Sequence, residues 1–99
     1  MTEAKILEVV AKYKKHPFLA QIRNGKRHRA NEKVNSYPAF YSHMLWMCNE
    51  VEKFVSQGRK EKAFRWLGFI QGCLWMNGDY TLSQLVNHNR PRIKKSSSK

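Results

Sequence analysis

Residues 36–78 read SYPAFYSHMLWMCNEVEKFVSQGRKEKAFRWLGFIQGCLWMNG. In the first half, Tyr41, Met44, Cys48, Val51 and Val55 recur at steps of three and four, and Phe40, Leu45, Met47 and Phe54 widen the stripe. That is the pattern of a helix laying one apolar face on a core. Ser36 ahead of Tyr37-Pro38 suits an N-cap followed by a first turn, where the missing proline N–H costs nothing. Gly58 lacks a Cβ and so permits the left-handed residue that closes a helix. The second half, residues 59–77, carries Ala63, Phe64, Trp66, Leu67, Phe69, Ile70, Cys73, Leu74, Trp75 and Met76, apolar on nearly every side. A helix of this kind belongs at the centre of a fold or in an oligomer interface. Gly68 and Gly72, four apart, leave a flat face where another helix can approach. Phe64, Gly68, Gly72 and Trp75 are therefore the residues expected to mediate self-association, a dimer being favoured. The two halves predict an all-α fold built on an antiparallel helical hairpin of residues 37–57 and 59–77.

Downstream, Gly78 closes the hairpin. Thr81 and Gln84 form a capping box, and Tyr80 and Leu85 flank it as a hydrophobic staple, which predicts a short helix over 82–88 that Pro91 ends. Upstream, Ile6, Leu7, Val9, Val10 and Tyr13 have helical spacing, with Thr2 as N-cap and Glu3 in the first turn, so a helix is expected over 3–15. Pro17 discourages its continuation. Periodicity is poor over 16–35, and Asn24-Gly25 is a turn signal; a basic loop is favoured over a short hairpin. The expected organisation is one helical domain over 1–90 and a disordered basic tail over 91–99.

The 99 residues carry 19 Lys+Arg against 7 Asp+Glu, a formal charge of +12. Residues 12–33 contribute 8 − 1 = +7 and residues 80–99 contribute +5. Such a field attracts polyanions, and each phosphate neutralised releases counterions. The residues expected to contact nucleic acid are Lys12, Lys14, Lys15, Arg23, Lys26, Arg27, His28, Arg29 and Lys33 in the first cluster and Arg90, Arg92, Lys94 and Lys95 in the second. Nothing resembles a base-reading module, so RNA and DNA are not distinguished.

Other chemistry finds little footing. Asp79 is the only aspartate, which disfavours a carboxylate-rich active site. His16, His28, His43 and His88 lack the spacing of metal ligands, and no phosphate-binding glycine loop is present, so no metal, cofactor or catalytic residue is expected. Cys48 and Cys73 are expected as core thiols in a reducing compartment. Trp46, Trp66, Trp75, Tyr37, Tyr41 and Phe64 offer a base-stacking platform in principle, but core packing of the two helices is the favoured reading. Without a stretch of about 18 apolar residues or a basic-then-apolar leader, a soluble cytoplasmic protein away from membranes is expected.

The run Arg65-Trp66-Leu67-Gly68-Phe69-Ile70-Gln71-Gly72-Cys73-Leu74-Trp75, continuing through Gly78, Tyr80-Thr81 and Asn87-His88-Asn89-Arg90-Pro91, resembles a motif of small accessory proteins of tailed bacteriophages. The resemblance spans about the last third of the chain. It implies expression in a host bacterial cytoplasm during infection and supplies no activity, fold or functional residue. Phage accessory proteins of this size often bind and redirect a host machine or defence factor. A stoichiometric protein inhibitor, or a binder of a host ribonucleoprotein, therefore stands beside direct nucleic-acid binding as a function class.

Overall fold

The computed structural model describes residues 1–91, so Arg92, Lys94, Lys95 and the expected tail beyond Pro91 lie outside the described residues. Five helices follow in order: α1 (Glu3–Lys14), α2 (Pro17–Ala20), α3 (Tyr37–Ser56), α4 (Lys60–Met76) and α5 (Leu82–Asn89), with no strand among the described residues. Their ends are set by the residues expected to set them. The hydroxyls of Thr2, Ser36 and Thr81 accept from Lys5 N–H, Ala39 N–H and Gln84 N–H, and Gln84 Oε1 accepts from Thr81 N–H. Gly58 and Gly78 take φ of 74° and 84° and close α3 and α4. Arg90, held extended by the following proline, ends α5.

The centre of the fold is α3. Its buried side chains run from Tyr41 to Val55, and α1, α2 and α4 all pack against it, while α5 rests on α1 and α4. Ile6, Val9, Val10 and Tyr13 of α1 and Ala63, Leu67, Ile70 and Leu74 of α4 complete the core. α4, apolar on nearly every side, nevertheless buries one face only. Phe64, Phe69, Trp75 and Met76 stand in solvent, contrary to the expectation that the aromatics of this helix are core. The reason is supply: α1 and α3 already fill the side that α4 can reach, and no further element of the described chain covers its outer face.

The segment 16–35 is not wholly a loop. Pro17 at the first helical position and the His16 ring, whose Nδ1 accepts from Phe18 N–H, start the four-residue α2, which drops Leu19 into the core. Beyond it, residues 21–35 run as an irregular strap, without the hairpin that Asn24-Gly25 offered. Gly25 serves close approach rather than a turn, since its φ is not positive and a Cβ there would lie 2.5 Å from Trp46 N of α3.

Candidate functional site

Three polar or aromatic constellations arise where helices meet, and they differ in what they leave unsatisfied. The first joins the α1–α2 junction to the end of α4. Asp79 accepts from the Tyr41 hydroxyl at 2.9 Å and from Asn77 Nδ2 at 2.8 Å, and its Oδ1 lies 3.2 Å from His16 Nε2. Asn77 Nδ2 also donates to the Tyr41 oxygen. Burial first, then the Asp79 carboxylate, pushes the Tyr41 phenol up to about 12. With the His16 Nδ1 occupied by Phe18 N–H, the ring proton sits on Nε2 and faces Asp79. Histidine, aspartate and tyrosine thus meet here, but their polar atoms are already engaged with one another and with Asn77. An open apolar hollow of about 660 Å³ beside them is lined by Phe18, Ile22, Tyr37 and Pro38.

The second constellation ties α1, α4 and α5 together. Gln71 and Asn89 exchange amide hydrogen bonds at 2.7 and 3.1 Å, and Gln71 Nε2 also donates to the Tyr13 hydroxyl; with its oxygen accepting there, the phenol has its proton to give to His88 Nδ1, 2.9 Å away. Burial pushes the Tyr13 phenol up to about 12, and burial together with Lys12 and Lys5 lowers the His88 pKa. This cluster is a structural joint.

The third lies between the strap, α3 and the first half of α4, around a groove of about 690 Å³. Its floor is aromatic: Trp46 and Trp66 have ring centroids 5.6 Å apart, and Phe54 packs edge-on to Trp66 at 4.9 Å. Phe69 is 57% exposed at the rim. Cations stand over these rings: Arg27 is 5.8 Å from the Trp46 centroid, Lys62 is 4.7 Å from that of Phe54 and 5.9 Å from that of Trp66, and Arg59 is 5.4 Å from that of Phe54. Arg65 completes the wall. Glu50, the one carboxylate in the lining, is bonded to Lys53 at 3.1 Å. Arg27, Arg59, Lys62 and Arg65 join no ion pair among the described residues.

The strap is fastened by its backbone. Lys26 N–H donates to Ser42 Oγ at 2.9 Å and His28 N–H to His43 Nδ1 at 3.0 Å, and Gly25 presses on the α3 backbone between Ser42 and Trp46. Arg27 is therefore delivered to the groove by two main-chain anchors flanking it. The His43 ring lies 5.4 Å from Trp46, and burial, His28 and Arg27 lower its pKa.

Of the residues expected to contact nucleic acid, Arg27 alone lines this groove. Arg23, Lys26 and Lys33 are exposed along the strap, Arg29 pairs with Glu32 at 3.4 Å, and the His28 ring lies 3.1 Å from the Lys33 carbonyl. Lys12 is exposed on α1 and Lys15 just after it, Lys14 is paired with Glu52 of α3 at 3.1 Å, and Arg90 is exposed after α5. Sequence reasoning misses Arg59, Lys62 and Arg65, although residues 59–65 read RKEKAFR and carry 4 − 1 = +3.

Phe64, Gly68, Gly72 and Trp75 are all exposed on α4. Cys48 is buried, with its thiol pushed up to about 12 by burial, and Cys73 is half-buried with its thiol raised for the same reason. Among the described residues, no group of three or more His, Cys, Asp or Glu is placed to hold a metal ion, and no helix is long and apolar enough to cross a membrane. Compared with known proteins, the chain matches no family model, no curated protein and no solved structure.

Proposed function

We propose that the protein is a non-catalytic binder of single-stranded nucleic acid, with the groove between the strap, α3 and α4 as its site. One observation carries the reading: four cations without carboxylate partners surround an open floor of tryptophan and phenylalanine. Bases present π-faces and phosphates present charge, and sequence-tolerant single-strand binding combines a basic channel with aromatic platforms. Duplex DNA or RNA hides its base faces and would use the phosphates alone. Bases stack on the exposed Phe69 and on the partly exposed rings of Trp46 and Trp66, while Arg27, Lys62 and Arg65 take the backbone. The remaining strap cations and Arg90 extend the electrostatic footprint without reading sequence. The absence of catalysis is part of the proposal, supported by the histidine–aspartate–tyrosine cluster having its polar atoms engaged within the protein. A cytoplasmic setting fits the same role.

The test is a salt titration of binding to labelled single-stranded RNA and DNA oligonucleotides, read by anisotropy and by tryptophan quenching. Affinity is expected to fall steeply with salt, to depend weakly on sequence and to exceed that for the matching duplex. Replacing Arg27, Lys62 and Arg65 together by alanine should lower the salt slope by about 2, at roughly 0.7 for each single-strand phosphate that is no longer neutralised. An unchanged slope removes the groove as the site. A host protein that co-purifies and survives nuclease treatment, with no oligonucleotide binding, would replace this reading with that of a stoichiometric inhibitor.

A further inference from the structure

The outer face of α4 has no role in the groove and no cover in the fold. At 100° per residue, Phe64, Gly68, Gly72, Trp75 and Met76 fall within an arc of about 120°. Met76 is 79% exposed and Trp75 46%. Trp75 and Leu82 line one shallow depression, and Leu82 and Val86 of α5 line the next, so the apolar surface continues from one helix to the other. Together with Phe64 these side chains leave on the order of 600 Å² in water, against the ~800 Å² each partner gives to a standard interface.

Charge says what can cover it. Residues 66–89 hold no Lys or Arg in a chain of net charge +12, and their single carboxylate, Asp79, is held in the cluster with His16, Tyr41 and Asn77. Across the basic strap or the run 59–65, two copies would meet cation against cation. Here the one cation inside the arc is Arg65, with Glu61 beside it, and both lie toward the start of α4, away from the Gly68–Gly72 centre. A Cβ at Gly68 or Gly72 would meet nothing within 4 Å, so the backbone of a neighbouring helix has room to come close.

We infer that this face binds a second copy of the same chain, α4 crossing α4 antiparallel about Gly68 and Gly72, with Trp75, Met76, Leu82 and Val86 buried around the crossing. Electrostatics selects the antiparallel sense. A parallel crossing would set the two basic ends, Arg59 to Arg65, side by side. The antiparallel one places each against the C-terminal end of the other helix, where the helix dipole puts partial negative charge. A two-fold axis makes the contact self-complementary and closed.

The experiment is light scattering on the full chain after nuclease treatment, in about 0.5 M salt so that nucleic acid cannot bridge copies. The wild type should return about 23 kDa, twice the 11.7 kDa of the chain. Gly72→Arg and Met76→Lys each put a cation at the crossing and should return 11.7 kDa with unchanged helical circular dichroism. Lys62→Glu, in the groove, should remain at about 23 kDa, so loss of nucleic-acid binding and loss of the dimer are separately visible. A wild type at 11.7 kDa up to about 0.5 mM overturns the inference and leaves the face to a different protein. Dimers that persist in both cationic variants, or that Lys62→Glu dissolves, overturn it as well.

Discussion

The cluster around Asp79 and the groove around Trp46 are made of similar stock, aromatic rings beside charged side chains, and they come to opposite ends. In the first, His16, Tyr41, Asn77 and Asp79 engage one another's polar atoms, with the Asp79 side chain only 8% exposed. In the second, Arg27, Arg59, Lys62 and Arg65 face rings and water, with Glu50 already given to Lys53. Residue types that suggest chemistry therefore mark a site only where their hydrogen-bonding and charge are left over after folding. The Asp79 cluster holds the ends of α1 and α4 to α3. The groove has capacity to spare.

The largest expected effect tests the first half of this contrast. Asp79→Ala leaves the Tyr41 hydroxyl, the Asn77 amide and the His16 Nε2–H without their acceptor in a largely buried place. A cost of about 3 kcal/mol follows from removing one partner of such a set, or on the order of 15 °C in the thermal midpoint of a domain this size. Oligonucleotide affinity of the folded variant should not change. Thermal unfolding by circular dichroism and anisotropy on the same sample measure both, and a drop in affinity at a temperature where the variant is folded would merge the two regions.

A smaller effect is expected where the groove meets its scaffold. In Gly25→Ala the new Cβ would sit 2.5 Å from the Trp46 nitrogen and 3.0 Å from the Leu45 carbonyl carbon and the Ser42 carbonyl oxygen, all backbone of a helix that cannot give way. The strap has to lift, loosening the Lys26–Ser42 and His28–His43 bonds. About 2 kcal/mol of stability should go, as in other overpacked sites. Affinity for single strands should fall by about the same factor as in Arg27→Ala, because the arginine leaves Trp46. Stable protein with unchanged binding would show that Arg27 works independently of the strap.

How much of this is legible in the sequence follows from range. The caps at Thr2, Ser36 and Thr81, and the glycines at 58 and 78, act on groups within a few residues, so local reading locates four of the five helices to within a residue or so. α2 escapes because four residues after a proline carry no periodicity. The groove's second wall escapes for an arithmetic reason: Glu50 and Glu52 dilute the basic run 59–65 when charge is summed over the hairpin. Lys14 reads as a phosphate ligand because Glu52, its partner, lies 38 residues away. Gly25 reads as a turn residue because sequence cannot show a backbone pressed against another helix.

The smallest expected effect is on pH, and it reaches the groove and the α1–α4–α5 joint in the same direction. His43 Nδ1 accepts from His28 N–H at the strap, and His88 Nδ1 accepts from the Tyr13 hydroxyl at the α1–α4–α5 joint. A ring protonated at Nδ1 cannot accept, and burial with neighbouring positive charge lowers both pKa values below 6.5. The unfolded chain, with its histidines at about 6.5, then takes up protons before the folded chain does. Stability from these two groups is fully present above about pH 6.5 and is lost as pH falls from there through the lowered folded values. The thermal midpoint should thus be lower at pH 5 than at pH 7.5. His88→Asn and His43→Asn should each flatten part of that slope, but only the second should also disturb binding, since its ring lies against Trp46 beneath Arg27. Equal disturbance of binding by both would mean that the joint and the groove are coupled through α4, the one helix they share.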